Sequence, residues 1–457
     1  MMRTLLKKKW IALLFFMLAV LIPASSLMAW NEHPLISYPV IVAMPEVRDA
    51  KPVPVESLDA FVRAEGTRLE RFLSEEEAWA KKNLQWYSPL PESLAFKAAG
   101  SPDDIGPRFC HAIRVNPTVK FPLYLQLIPG EESNGRPSLL PKDITFLHDT
   151  SDWGNTTFVE LKAGETVRPM DVVVSATDEP DLLGLDIGLF EDNETDFGKT
   201  YGFGLQPFGN PHLEAGSQAP FHMGFYHESG IEYALAGFLK KTYPEYRIHL
   251  YKKLAELAFQ SGHPYWGWRI TGWGLHYLAD LTQPYHATVL PGESTSYAIW
   301  INTIDMLGIH SPKANAVQLV SNRHTALEKF AQLILQKAYR DKERNNAVLA
   351  ALQSVGESPS YEDTVPRNIV SKLAHDKAEA TDKALADNMP KKFVSDPGFE
   401  LGTSGEREQI VEKIRAEKGQ AAVDSLTLLV RDLLAPFAAY GRSYVDVIVR
   451  ESKTLNY

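Results

Sequence analysis

The chain predicts a mainly α fold with a small β-rich insertion, on three observations. Helical periodicity governs nearly everything after Gly230. Residues 110–176 are instead rich in β-branched side chains and cut by Pro and Gly turns. The run Gly274-Leu-His-Tyr-Leu-Ala-Asp-Leu-Thr-Gln-Pro-Tyr-His286 sets polar ligand-type residues among apolar ones, with a proline placed to end a helix. With 457 residues and 44 % hydrophobic content, the chain can bury one large core or two smaller ones.

Taken in order, residues 1–29 read as a signal peptide. Arg3 and Lys7 to Lys9 form a positive region, Trp10 to Ile22 an apolar one, and Ala29 suits the last position before cleavage. Ala24 and Ser26 are the alternatives, because Leu27 is a mediocre residue two places before Ala29. Cleavage after Ala29 makes the mature protein secreted or periplasmic and starts it at Trp30. No later segment is long and apolar enough to span a bilayer. Residues 30–109 read as a helical N-terminal segment, including the amphipathic stretch Val55 to Lys82. In the insertion, residues 110–176, strands are predicted at Val119 to Ile128, Thr156 to Leu161 and Val167 to Ala176. The stretch from Asp178 to Pro220 is too long for an ordinary connector, which suggests that it lines a site. The remaining core, within 177–457, predicts helices at Ile231–Thr242, Glu245–Gln260, Trp266–Leu281, Ser296–Leu307 and Ala314–Tyr339, with two more between Arg407 and Glu451.

A single cysteine, Cys110, excludes an intramolecular disulfide, so stability must come from packing or from metal. The formal net charge of −10 offers no overall attraction to a polyanion.

Ligand-type residues cluster at four places. His276 and Asp280 lie four apart, so a helix stacks them on one face, and Pro284 lets His286 leave that face. An isolated HxxxD is usually a satisfied core pair, but here it has company. His324 and Glu328 repeat the i, i+4 spacing on a helical stretch. His222 and His227-Glu228 stand where a loop meets a helix. At the start, the amine of Trp30 would be free after cleavage, with His33 three residues on. Imidazoles and carboxylates in this combination are the donors zinc prefers.

These motifs resemble the bacterial zinc-dependent phospholipase C enzymes and their relatives, the fungal single-strand nucleases. The family's His, three residues, Asp, five residues, His matches His276, Asp280 and His286, and its later His-x-x-x-Glu matches His324 and Glu328. Its leading Trp matches Trp30, its upstream carboxylate Asp178 with Asp181 as runner-up, and its next histidine His222. The resemblance implies a multi-helix core and three zinc ions. Asp280 would bridge two of them, one also held by Asp178, His222 and His276, the other by the Trp30 amine and carbonyl and by His33. The third would lie on His286, His324 and Glu328. It further implies a zinc-bridging hydroxide attacking phosphorus, with Asp178 as base or orienting carboxylate.

On this resemblance the leading expectation is a phospholipase C cleaving the glycerol–phosphate ester of phosphatidylcholine or a related phospholipid at a membrane surface. The acidic loop around Glu191 to Asp196 suits a cationic head group better than a polyanion. The alternative is a zinc-dependent single-strand nuclease, which needs stacking aromatics and a basic groove. A third reading is a non-catalytic, zinc-stabilised binding protein.

Overall fold

The computed structural model describes residues 30–454 apart from 211, 213, 344, 355, 357 and 358; the expected signal peptide, residues 1–29, lies outside the described residues. The protein is mainly helical, with small antiparallel sheets. The principal helices are α1 (His33–Val42), α2 (Leu58–Asn83), α3 (Pro169–Ala176), α4 (Gly230–Leu235), α5 (Pro244–Gln260), α6 (Pro264–Asp280), α7 (Thr295–Met306), α8 (Ser311–Arg340) and α9 (Gln420–Thr454). The strands are β1 (Val53–Pro54), β2 (Tyr124–Leu127), β3 (Ser138–Leu139), β4 (Thr157–Glu160) and β5 (Thr166–Val167).

The α5–α6 hairpin is the centre of the molecule. Its turn at Gly262 has φ of 85°, and the His263 amide bonds back to the Ala258 carbonyl, which ends α5 and starts α6 in the opposite direction. Every residue of α6 from Tyr265 to Asp280 is buried, so the helix is covered on all faces. Glycine makes that possible. A Cβ at Gly272 would meet the Val173 carbonyl of α3 at 2.5 Å, and one at Gly274 would collide with the Tyr444 hydroxyl of α9.

The insertion carries a three-stranded sheet of order β2-β4-β3, with Leu125 opposite Val159, and its β5 pairs with β1 of the N-terminal segment, Val167 opposite Val53. The outer edge of β2 is held by the core, because the Gln126 amide donates to Ser175 Oγ on α3. One hydrophobic core runs without a break from Trp30 and Val62 through Phe158 and Val173 to Leu275 and Ile448. The segments 30–109, 110–176 and 177–457 therefore share it.

Two expectations fail locally. Val167 to Ala176 is not a strand: β5 ends at Val167 and Pro169 opens α3. Proline at a helix start fits the first turn, and burial of Val172, Val173 and Val174 between helices overrides their β propensity. The single helix expected over Ile231–Thr242 is broken into α4 and a separate turn, Gly237–Lys240, at a glycine that weakens helix. The long stretch after Asp178 forms only short helical turns, yet Leu182, Leu183, Leu185 and Phe190 in it are buried.

Candidate metal centre

His276 and Asp280 occupy the last turn of α6, one turn apart, both fully buried. The helix stops at Asp280, and Pro284 opens a short turn, Pro284–Ala287, that carries His286 away from the α6 face. Each histidine is oriented by a carbonyl. His276 Nδ1 lies 2.8 Å from the Thr177 oxygen and His286 Nδ1 2.9 Å from the His222 oxygen. A carbonyl only accepts, so each Nδ1 carries the proton and each Nε2 faces the site bare, as a metal-ligating histidine does.

Asp280 reaches two sets of donors at once. Its Oδ1 is 2.9 Å from His33 Nε2, while its Oδ2 is 2.8 Å from His222 Nδ1 and 3.4 Å from His276 Nε2. Asp181 joins the second set, 3.8 Å from both His222 Nδ1 and His276 Nε2. A further set combines His286 with His324 and Glu328 from α8, the two imidazole nitrogens 3.1 Å apart. Within each of the groups His33–His276–Asp280, Asp181–His222–His276 and His286–His324–Glu328, the donor atoms lie within 4.8 Å of one another. Nitrogen and oxygen ligands on a tetrahedral ion with bonds of about 2.0–2.1 Å sit about 3.3 Å apart. The spacing and chemistry of the donors therefore fit a metal, and these clusters can hold metal ions.

Burial and neighbouring charge set the protonation states. Burial, with His33 and His222 nearby, holds His276 well below the usual imidazole value, and burial beside His324 brings His286 down to about 3. Both stay neutral, ready to donate a lone pair. Burial opposes the charged form of His222, but the Asp186 and Asp280 carboxylates outweigh it and raise its pKa to about 10. Burial pushes Asp181 up to about 7. Asp280 goes the other way: burial opposes its charge, yet the surrounding imidazoles depress its pKa.

The structure separates the two upstream carboxylates. Asp181, the runner-up, meets His222 and His276; Asp178 does not. Asp178 Oδ1 accepts from the His33 amide at 3.1 Å and Oδ2 from the Trp153 indole at 2.7 Å. It braces the chain at His33, and Asp181 takes the place in the donor group expected for Asp178. His33 enters the site despite following Trp30 so closely, because Glu32 adopts a left-handed φ of 59° and turns the chain there. The buried Glu32 carboxylate accepts from Thr156, Gln332 and Gln336, which offsets the roughly 1–3 kcal/mol cost of that conformation. Trp30 is buried, its indole donating to Thr282 Oγ1 at 3.0 Å, two residues beyond Asp280. His227 lies elsewhere, bonded to the Arg367 carbonyl.

Sequence reasoning missed the supports behind the donors. Asp186 Oδ2 stands 3.4 Å from His222 Nε2 and accepts from the Tyr277 hydroxyl, while Oδ1 accepts from Arg247. All four groups are buried. Removing one member of such a buried ion pair costs about 3–5 kcal/mol. The available signal was Arg247, a cation amid the buried positions of α5. Nothing in the sequence singles out Trp153.

No family model matches the chain, and the searches of curated proteins and of solved structures found no match either.

Proposed function

We propose that the chain is a zinc-dependent phosphodiester hydrolase of the phospholipase C type, cleaving the glycerol–phosphate ester of phosphatidylcholine or a related phospholipid. The observation that carries this reading is Asp280, whose two oxygens face different imidazoles and so suit a carboxylate bridging two ions. Nitrogen and oxygen donors on a mostly histidine framework favour zinc, and among the described residues the donor groups number three. Zinc held there would supply Lewis acidity toward phosphoryl oxygens and bring the pKa of bound water to about 7.

The chain's own residues have separable tasks. His276 and His286 present bare nitrogens, held by the carbonyls of Thr177 and His222. Asp178, with one oxygen on the His33 amide and the other on Trp153, serves as an orienting carboxylate for His33. Asp181, facing His222 and His276, completes the second donor group as a carboxylate that metal would hold deprotonated.

Lipid is favoured over nucleic acid by the state of the nearby cations. Arg247, Arg269, Arg323 and Lys329 are buried or nearly so and paired with Asp186, Glu179, Asp382 and Glu408 respectively. A polynucleotide needs several free Lys or Arg for its phosphates; a zwitterionic lipid does not. With this reading we propose export after removal of residues 1–29, which would bring the enzyme to an extracellular or periplasmic substrate.

The test is a side-by-side assay of the purified mature protein on phosphatidylcholine vesicles and on single-stranded DNA. Release of a phosphorylated head group, abolished by a zinc chelator and restored by zinc, is the expected result. Efficient DNA degradation with lipid untouched would establish the nuclease alternative. Metal bound without turnover of either substrate would leave the non-catalytic reading.

A further inference from the structure

Helix α7 exposes what globular proteins usually bury. Its sequence, residues 295–306, is largely apolar, yet Ile301 is its one buried residue. Trp300, Met306 and Ile309 are about half exposed and Leu307 is 75 % exposed. Single exposed apolar residues are ordinary; a contiguous set over a helix and its following turn marks an interaction face. The face carries little charge. Between residues 294 and 312 the one carboxylate is Asp305, and it is taken up by His310 and Lys313. Tyr297 and Trp300 pair at 5.7 Å between ring centroids, amphipathic rings of the sort that sit at the boundary of a lipid head-group layer.

A groove and an apolar cluster lie between this face and chain segments that neighbour the metal donors. The groove, between α4 and α7, is lined mainly by apolar residues, among them Leu239, Val289, Ile299 and Val317, with Glu232, Glu293 and Lys313 also in its wall. Its inner wall belongs to a separate apolar cluster containing Met223, Phe225, Leu239 and Val289, and Met223 directly follows His222. Val317 stands on α8 seven residues before His324, about 10 Å along the helix. The exposed α7 face therefore adjoins segments that run directly into the donors His222 and His324.

We infer that α7 and the turn through Ile309 form an interfacial docking face for a zwitterionic phospholipid surface. Charge selects the occupant. An anionic membrane is opposed by the chain's formal net charge of −10, and a second copy would set −10 against −10. A neutral, amphipathic surface meets neither obstacle and matches an apolar face that carries the Tyr297–Trp300 pair and whose one carboxylate, Asp305, is already paired. The inference rests on the phospholipase reading for its biological sense, but not for its measurement.

The experiment compares the mature protein with a variant carrying Trp300→Ser, Leu307→Ser and Ile309→Ser, all exposed positions outside the donor groups. Cosedimentation with phosphatidylcholine vesicles, turnover of those vesicles, and turnover of a short-chain phosphatidylcholine kept monomeric are measured for both. Vesicle binding and vesicle turnover should fall at least about tenfold, with monomer turnover and metal content unchanged. A variant that binds vesicles as well as the parent overturns the inference. So does a parent that ignores vesicles but forms a dimer which the variant dissociates. A parent that binds vesicles through this face yet hydrolyses neither lipid supports the docking face and overturns the phospholipase reading instead.

Discussion

Around Asp280 the donors come from four separated stretches, whereas around Glu328 two of the three come from adjacent turns of one helix. His33, Asp181, His222 and the end of α6 meet only because the whole core brings them together. Each is then braced by something further: His33 by Asp178 and Glu32's turn, His222 by Asp186, His276 by the Thr177 carbonyl. On the other side, α8 alone sets His324 beside Glu328, with Gln283 donating to Glu328 at 3.0 Å and Pro284 delivering His286. The difference is one of dependence. The Asp280 half is tertiary and charge-compensated; the Glu328 half is largely local. Damage to one should therefore spread, and damage to the other should stay confined.

The sharpest test of that contrast is Asp280→Asn. Because both oxygens are engaged, we expect loss of more than one metal equivalent and a fall in turnover of at least about a thousandfold, the scale of removing a principal transition-state stabiliser. Elemental analysis showing a single equivalent lost would break the bridging assignment. His324→Ala should instead remove one equivalent, with turnover reduced on the order of a hundredfold. If His324→Ala empties the Asp280 half as well, the two halves are not independent.

Within the Asp280 half, the two upstream carboxylates can be told apart. Asp181→Asn should weaken metal binding directly. Asp178→Asn should keep the stoichiometry and act through His33, lowering affinity by about 10- to 100-fold as loss of a bracing group does. Metal titrations of both variants decide it; equal stoichiometric loss in both would make Asp178 a donor after all.

The same contrast explains what could be read from sequence. HxxxD and HxxxE are legible because helix geometry places those residues together whatever the rest of the chain does. The proline that redirects His286 is equally local. The choice between Asp178 and Asp181 is not local: it turns on which carboxylate Trp153 and the His33 amide occupy, over 25 and 145 residues of separation. The helical class and the small sheet were legible from periodicity, and α5, α6 and α8 begin and end within about three residues of expectation. Val167 to Ala176 was misread because its valines are sheet formers in isolation and became helical only through burial against α6 and α1.

The effect we expect to be smallest on metal and turnover concerns stability instead, at a carboxylate outside both halves. Glu228 is buried and accepts from the Val289 amide at 2.8 Å, tying the segment after His222 to the segment after His286. Burial raises its pKa to about 8, with Glu232 adding to the effect, from an ordinary value of 4.5. The folded state thus holds this proton more tightly than the unfolded chain. Its stabilising contribution is complete below about pH 4.5 and is lost as pH rises through about 8, at up to about 1.4 kcal/mol per pH unit. Glu228→Gln keeps an acceptor for Val289 but cannot ionise. Urea unfolding should therefore find the variant gaining on the parent between pH 5 and pH 8, with metal content and turnover at a fixed pH little changed. A gap that stays constant across that window would mean that Glu228 does not titrate there, and that the link between the two segments is indifferent to its charge.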